Sequence, residues 1–152
     1  MPEPHPSPTR DQALDQLARA AYSLSAADSR LRGRATRTPG ALSLTHARAL
    51  RALADSGPLA TGQLATATET TGAGTTQLVN GLVAVGYVTR ERPADDKRTV
   101  LVALTDAGRS RHHERQAALT QALDTALARH DTAALDIATD VLRELAAIYD
   151  HL

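Results

Sequence analysis

The 152-residue chain, 42% apolar, is long enough for one core, and with no Phe, no Trp and three Tyr that core must be Leu, Ala and Val, as in packed helices. Its 17 basic and 17 acidic residues cancel, which alone argues against a nucleic-acid binder, yet Arg30 to Ala54 holds six arginines and no acid. The lack of cysteine excludes disulfides, thiolate metal sites and oxidant sensing through a thiol.

Residues 1–10 carry four prolines and are predicted to be a disordered tail. They lack the apolar stretch of a signal peptide, and no 18-residue apolar run follows, so a cytoplasmic protein with no membrane partner is expected. Leu14, Leu17, Ala21, Leu24 and Leu31 then recur at spacings of three, four or seven, a long first helix with one apolar stripe interrupted at Asp28. Arg30, Arg32, Arg34 and Arg37 follow that stripe, and Arg48 and Arg51 lie on a second helix.

A further apolar pattern starts at Leu64-Ala65, breaks at Thr70-Thr71-Gly72-Ala73-Gly74, and resumes at helical spacing with Leu78, Leu82 and Val85 before Gly86 stops it. Two β-type runs, Tyr87 to Arg92 and Thr99 to Leu104, flank a charged turn that cannot be core. Helix, turn, helix, glycine cap and basic hairpin together read as a winged helix-turn-helix. Thr105 is placed to cap a long helix through Leu119, Leu123 and Leu127. Asp131 is placed to cap the last helix, in which Leu135, Ala138, Leu142, Leu145, Tyr149 and Leu152 alternate spacings of three and four. Such a seam wants a partner helix, within the chain or in a second copy.

From Leu64-Ala65 through Leu82, Gly86 and Arg90, then Asp96-Lys97-Arg98 to Leu104-Thr105-Asp106-Ala107-Gly108, the sequence resembles the MarR family of bacterial transcription factors. That family's Asp-x-Arg wing element falls on Asp96 and Arg98, and its Leu-Thr-x-x-Gly element on Leu104 to Gly108. The resemblance implies a mainly α fold: a winged helix-turn-helix (43–104) with a two-stranded β-wing, inside one domain spanning 11–152. It also implies that long terminal helices (11–37 and 105–152) pair two copies, as suits an operator whose half-sites mirror a two-fold axis.

The residues expected on DNA are Thr71, Gly74, Thr75, Thr76, Gln77 and Asn80 from the recognition helix, and Arg90, Arg92, Asp96, Lys97 and Arg98 from the wing. Gln77 and Asn80 can each make paired hydrogen bonds to adenine, and a phosphate can approach a helix N-terminus closely where glycine leaves no Cβ in the way. Arg98 is the residue that the family places in the minor groove, and Asp96 is expected to hold its guanidinium across the turn. Arg90 and Arg92 alternate with Glu91 and so share a face. The family commonly has basic residues where this chain has Gly72, Gln77 and Gly81, which leaves a weakened reader as the alternative.

In the cleft where the family often binds small aromatic or acidic effectors, Tyr22, His46 and Arg48 are candidates, an arginine holding a carboxylate. His46, His112 and His113 are the only zinc candidates, and the neighbouring pair points about 100° apart, so no metal and no cofactor is expected. No nucleophile elbow or metal-ligand spacing points to an enzyme. The expected function is a ligand-responsive repressor that binds a pseudo-palindromic operator as a homodimer. The rivals are a ligand- or partner-binding dimer with decayed DNA binding, suggested by the neutral charge and the glycines, and a zinc-responsive regulator.

Overall fold

The computed structural model describes residues 6–152. Its elements run α1 (Arg10–Arg37), α2 (Leu44–Ser56), β1 (Leu59–Ala60), α3 (Thr61–Thr68), α4 (Gly72–Ala84), β2 (Val88–Glu91), β3 (Leu101–Leu104), α5 (Asp106–Ala126) and α6 (Thr132–Tyr149). Of the tail expected to be disordered, residues 1–5 lie outside the described residues. Its end is already committed to structure: Gln12 Oε1 accepts the Thr9 N–H at 2.9 Å and Thr9 Oγ1 accepts the Gln12 N–H at 3.3 Å. This reciprocal cap starts α1 at Arg10.

Two compact units emerge, Arg32–Arg129 and the residues up to Leu31 together with His130–Leu152. The first holds the core: Leu42, Ala49, Leu50 and Leu53 from α2 and the segment before it, Leu64 from α3, Leu78, Val79 and Leu82 from α4, with Val88 and Val102 from the strands. These are the aliphatic residues that composition required. In the recognition stretch, the apolar positions at 78, 79 and 82 share one face of α4, and burying that face orients the opposite one outward.

The strands form one antiparallel sheet in the order β1-β3-β2, with Leu59 opposite Val102 and Arg90 opposite Val102 on the other edge. The expected two-stranded wing is thus corrected to three strands. Leu59–Ala60 is too short to show a period of two, and only pairing with β3 makes it a strand.

The helix-to-wing junction depends on two glycines. Gly86 ends α4 at φ 78°, a left-handed conformation that a Cβ would strain. Gly108, in the first turn of α5, lies so close to the start of β2 that a Cβ there would overlap the Tyr87 carbonyl oxygen and stand 2.8 Å from its carbon. Thr105 fastens the same joint: its hydroxyl accepts the Gly108 N–H at 3.0 Å and donates to the Gly86 carbonyl at 2.6 Å. The cap expected at Thr105 is therefore present, as is the one at Asp131, whose carboxylate accepts the Ala134 N–H at 2.8 Å.

Among its described residues the second unit has no comparable core. Among the described residues neither α1 nor α6 contains a buried side chain, and Leu14, Leu24, Ile137, Leu142 and Ile148 are each half or more exposed. Leu14 and Leu17 face Ile137, Val141, Leu145 and Ile148 across an open apolar groove of about 360 Å³.

Candidate nucleic-acid interface

The turn between α3 and α4 is held by hydroxyls. Glu69 takes a left-handed conformation to end α3, Thr71 caps α4 by accepting the Gly74 N–H at 3.1 Å, and Thr68, Thr70 and Thr75 join side chain to side chain at 2.8 and 2.7 Å. Thr68 also donates to the Leu64 carbonyl at 2.8 Å and Thr75 to the Thr71 carbonyl at 2.8 Å. Each polar group buried in the turn therefore has a partner, which is what makes burying hydroxyls there tolerable.

This arrangement corrects one expected DNA contact. Thr75 is 0% exposed and its hydroxyl is engaged within the turn, so it orients the helix and cannot reach a groove. The exposed face of α4 carries Thr76, Gln77 and Asn80, with Gly72 and Thr71 at its start. Thr76 Oγ1 donates back to the Gly72 carbonyl at 3.1 Å. Asn80 Oδ1 accepts from Arg90 Nη2, which ties the recognition helix to the first wing strand.

In the wing, Asp96 does not hold the Arg98 guanidinium as expected. Its carboxylate accepts the Arg98 backbone N–H at 3.0 Å and the Thr99 hydroxyl at 2.7 Å, closing a tight turn and leaving the Arg98 side chain exposed outside that bond set. The Thr99 hydroxyl, with the Arg98 N–H, holds the Asp96 carboxyl below the usual carboxylate range. Arg92 Nη1 donates to the Lys97 carbonyl at 2.7 Å. The resulting surface sets Arg90, Arg92, Lys97 and Arg98, all exposed, beside the polar face of α4.

Beside α4 lies a cavity of about 800 Å³, lined by Arg32, Arg37, Thr45, His46, Gln77 and Gly81 among others. Of the three expected effector residues only His46 lines it. Arg48 donates to the Ala67 carbonyl at 2.9 Å and pairs with Glu69 at 3.3 Å, on a separate cleft. Two residues along one helix point roughly opposite ways, so His46 and Arg48 could not share a pocket. Tyr22 is 75% exposed and belongs to the other unit.

Gln77 and Gly81 were missed as cavity residues, although their i, i+4 spacing puts them on one face of α4. A Cβ at Gly81 would stand 3.7 Å from His46 Nε2, so a longer side chain there would project into the cavity. The glycine that departs from the basic pattern thus keeps this space open.

His46 completes a cap at the start of α2. Its Nδ1 accepts the Ser43 N–H at 3.3 Å, its own N–H bonds Ser43 Oγ at 3.2 Å, and burial pushes its pKa below the ordinary histidine value. His112 lines the other cleft, and burial, with the charge of His113 beside it, pushes it the same way. Among the described residues no group of three or more His, Asp or Glu side chains could hold a metal ion. Nor, among them, is any helix long and apolar enough to cross a membrane.

A family model described as MarR family matches residues 42–99, the segment containing the helix-turn-helix and the wing turn. The fold also matches a probable transcriptional regulator from Pseudomonas aeruginosa at 28% identity, covering 82% of this chain and 95% of that one with a TM-score of 0.65. Over residues 42–99 the chain is similar to the MarR family.

Other MarR-like structural neighbours are less similar in sequence and speak for the fold alone. The PcaV transcriptional regulator from Streptomyces coelicolor, in complex with its natural ligand, matches at 17% identity over 94% of this chain and 98% of that one, TM-score 0.69. BpsR of Bordetella bronchiseptica, whose DNA binding is regulated by 6-hydroxynicotinic acid, matches at 23% over 88% and 98%, TM-score 0.64. None of the curated proteins compared matches the chain. The chain itself has a mainly helical fold with a three-stranded antiparallel wing sheet.

Proposed function

We propose that this regulator binds double-stranded DNA as a homodimer at a pseudo-palindromic operator in the cytoplasm, and represses transcription until a small effector occupies the cavity beside His46. The observation that carries the reading is the pairing of an exposed polar face on α4 (Thr76, Gln77, Asn80) with a bonded wing turn that presents Lys97 and Arg98. The helix suits the major groove, and an exposed arginine suits the negative potential of a narrow A·T-rich minor groove. Net neutrality is no obstacle, because Arg90, Arg92, Lys97 and Arg98 stand exposed on this face and the field that DNA meets is local.

The homodimer is supported by the uncovered apolar faces of α1 and α6, which two helices without a core cannot leave in water cheaply. The effector reading is supported by the ligand complex of PcaV and the regulation of BpsR, and by cations on the cavity wall. Arg32, Arg37 and the His46 ring suit a small acidic or aromatic molecule. An effector that binds better to a form with the wrong reader spacing would release DNA by population shift, with no need to touch the wing.

Selection from random duplexes tests the reading. An inverted repeat with half-sites about ten base pairs apart, centre to centre, is expected. Recovery of no enriched sequence would instead favour a dimer whose DNA binding has decayed.

A further inference from the structure

Between Glu91, the last residue of β2, and Leu101, the first of β3, the wing chain has no ladder partner. A loop of this length, exposed along most of its course, would ordinarily sample many conformations, and ordering it on DNA would cost affinity. Here it is closed twice. Asp96 ties the tip by accepting from the Arg98 N–H and the Thr99 hydroxyl. Arg92, at the root, reaches across and donates from Nη1 to the Lys97 carbonyl at 2.7 Å, fastening the tip to the strand. Pro93 confines the residue before it to extended backbone, which fixes the direction from which Arg92 reaches.

Resting on the DNA-binding reading above, we propose that Arg92 is a positioning residue for that binding. Its guanidinium is anchored through Nη1 to the Lys97 carbonyl and acts on DNA through the wing tip, by letting Arg98 arrive on a turn that is already formed. It is not a phosphate contact in its own right. A Lys at this position would keep the charge but lose the planar fork that spans the loop.

The test compares wild type, Arg92→Ala, Arg92→Lys, Arg98→Ala and the Arg92→Ala/Arg98→Ala double variant on the selected duplex at fixed salt. Arg92→Ala should weaken binding by about two- to tenfold, the worth of one such bond. With Arg98 already removed, losing Arg92 should change affinity by less than about twofold, since the two act as one unit. Limited trypsin digestion of the protein without DNA supplies a second readout. Cleavage after Lys97 should quicken several-fold in Arg92→Ala and in Arg92→Lys.

Additive losses in the double variant, full binding by Arg92→Lys, or unchanged cleavage after Lys97 would each overturn the proposal. A wild type that binds no duplex would overturn the functional reading, and this role with it. A wild type that binds while the losses add would overturn this role alone.

Discussion

Gly108→Ala should be among the most damaging small substitutions in the chain. The added methyl would overlap the Tyr87 carbonyl oxygen and stand 2.8 Å from its carbon and 3.1 Å from its Cα. All three are backbone atoms, which cannot swing aside as a side-chain tip can. Overpacking of this kind costs about 1–3 kcal/mol, and a clash with a fixed neighbour belongs at the upper end. Separating α5 from β2 would also stretch the Thr105 bonds to Gly86 and Gly108, worth roughly 1 kcal/mol as a helix cap.

Against this, Ala gains about 0.8–1 kcal/mol over Gly in helix propensity. The net expectation is a loss of roughly 3 kcal/mol, or about 6–12 °C in Tm at 2–4 °C per kcal/mol for a chain of this size. Urea unfolding, followed by circular dichroism at matched protein concentration, measures it. Gly62→Ala in α3, where nothing lies within 4 Å of the new methyl, is the control and should be neutral or slightly stabilising. A Gly108→Ala protein as stable as wild type, with an unchanged denaturant slope, would refute the close-approach argument.

His46→Gln should remove part of the protein's acid sensitivity. Burial places the folded-state pKa of His46 below its ordinary value of 6.5, so the unfolded chain holds the proton more tightly. The stability contributed by the neutral ring is complete above that ordinary value and is lost as pH falls from there through the folded pKa. Gln can still accept the Ser43 N–H but cannot titrate, so the wild type should lose more stability than the variant between about pH 7 and 5. His112 shifts the same way in both proteins and cancels in the comparison, and equal losses would refute the assignment to His46.

Leu142→Asp, on the half-exposed face of α6, should yield monomer or insoluble protein by sedimentation, because a charge would enter an apolar interface. An unchanged dimer would refute pairing through that face, as would a folded wild-type monomer at micromolar concentration. Gln77→Ala should relax base preference at defined operator positions, a lost edge contact costing about 1–3 kcal/mol. Unchanged preference in the random-duplex selection would remove Gln77 from sequence reading.

The elements that were legible in the sequence are those whose signals are local. The break at Thr70 to Gly74, the stop at Gly86 and the caps at Thr105 and Asp131 each rest on a residue acting within a turn of itself. What was hidden depends on distant partners. β1 exists only because β3 offers it an edge, and Thr75 looks like a surface polar residue until the Thr68–Thr70–Thr75 chain shows where its hydroxyl goes.

The Asp96 to Arg98 link was right in its residues and wrong in its atoms, since spacing along a turn cannot tell a backbone N–H from a guanidinium. The same limit explains the effector residues. Helical periodicity separates the faces of His46 and Arg48, but only packing reveals that the His46 face looks across a cavity at Gln77 and Gly81. A Thr-x-x-Gln cap at Thr9 and Gln12 was readable, and was obscured by the prolines before it.

Whether the wing turn carries DNA binding is decided by a titration of wild type against Arg98→Ala on the selected duplex, by fluorescence anisotropy over a series of salt concentrations. Arg98→Ala should lose about 1–3 kcal/mol of binding at fixed salt and show a salt dependence shallower by roughly one unit, with Tm and dimerisation unchanged. Equal affinities and equal salt slopes for the two proteins would contradict it.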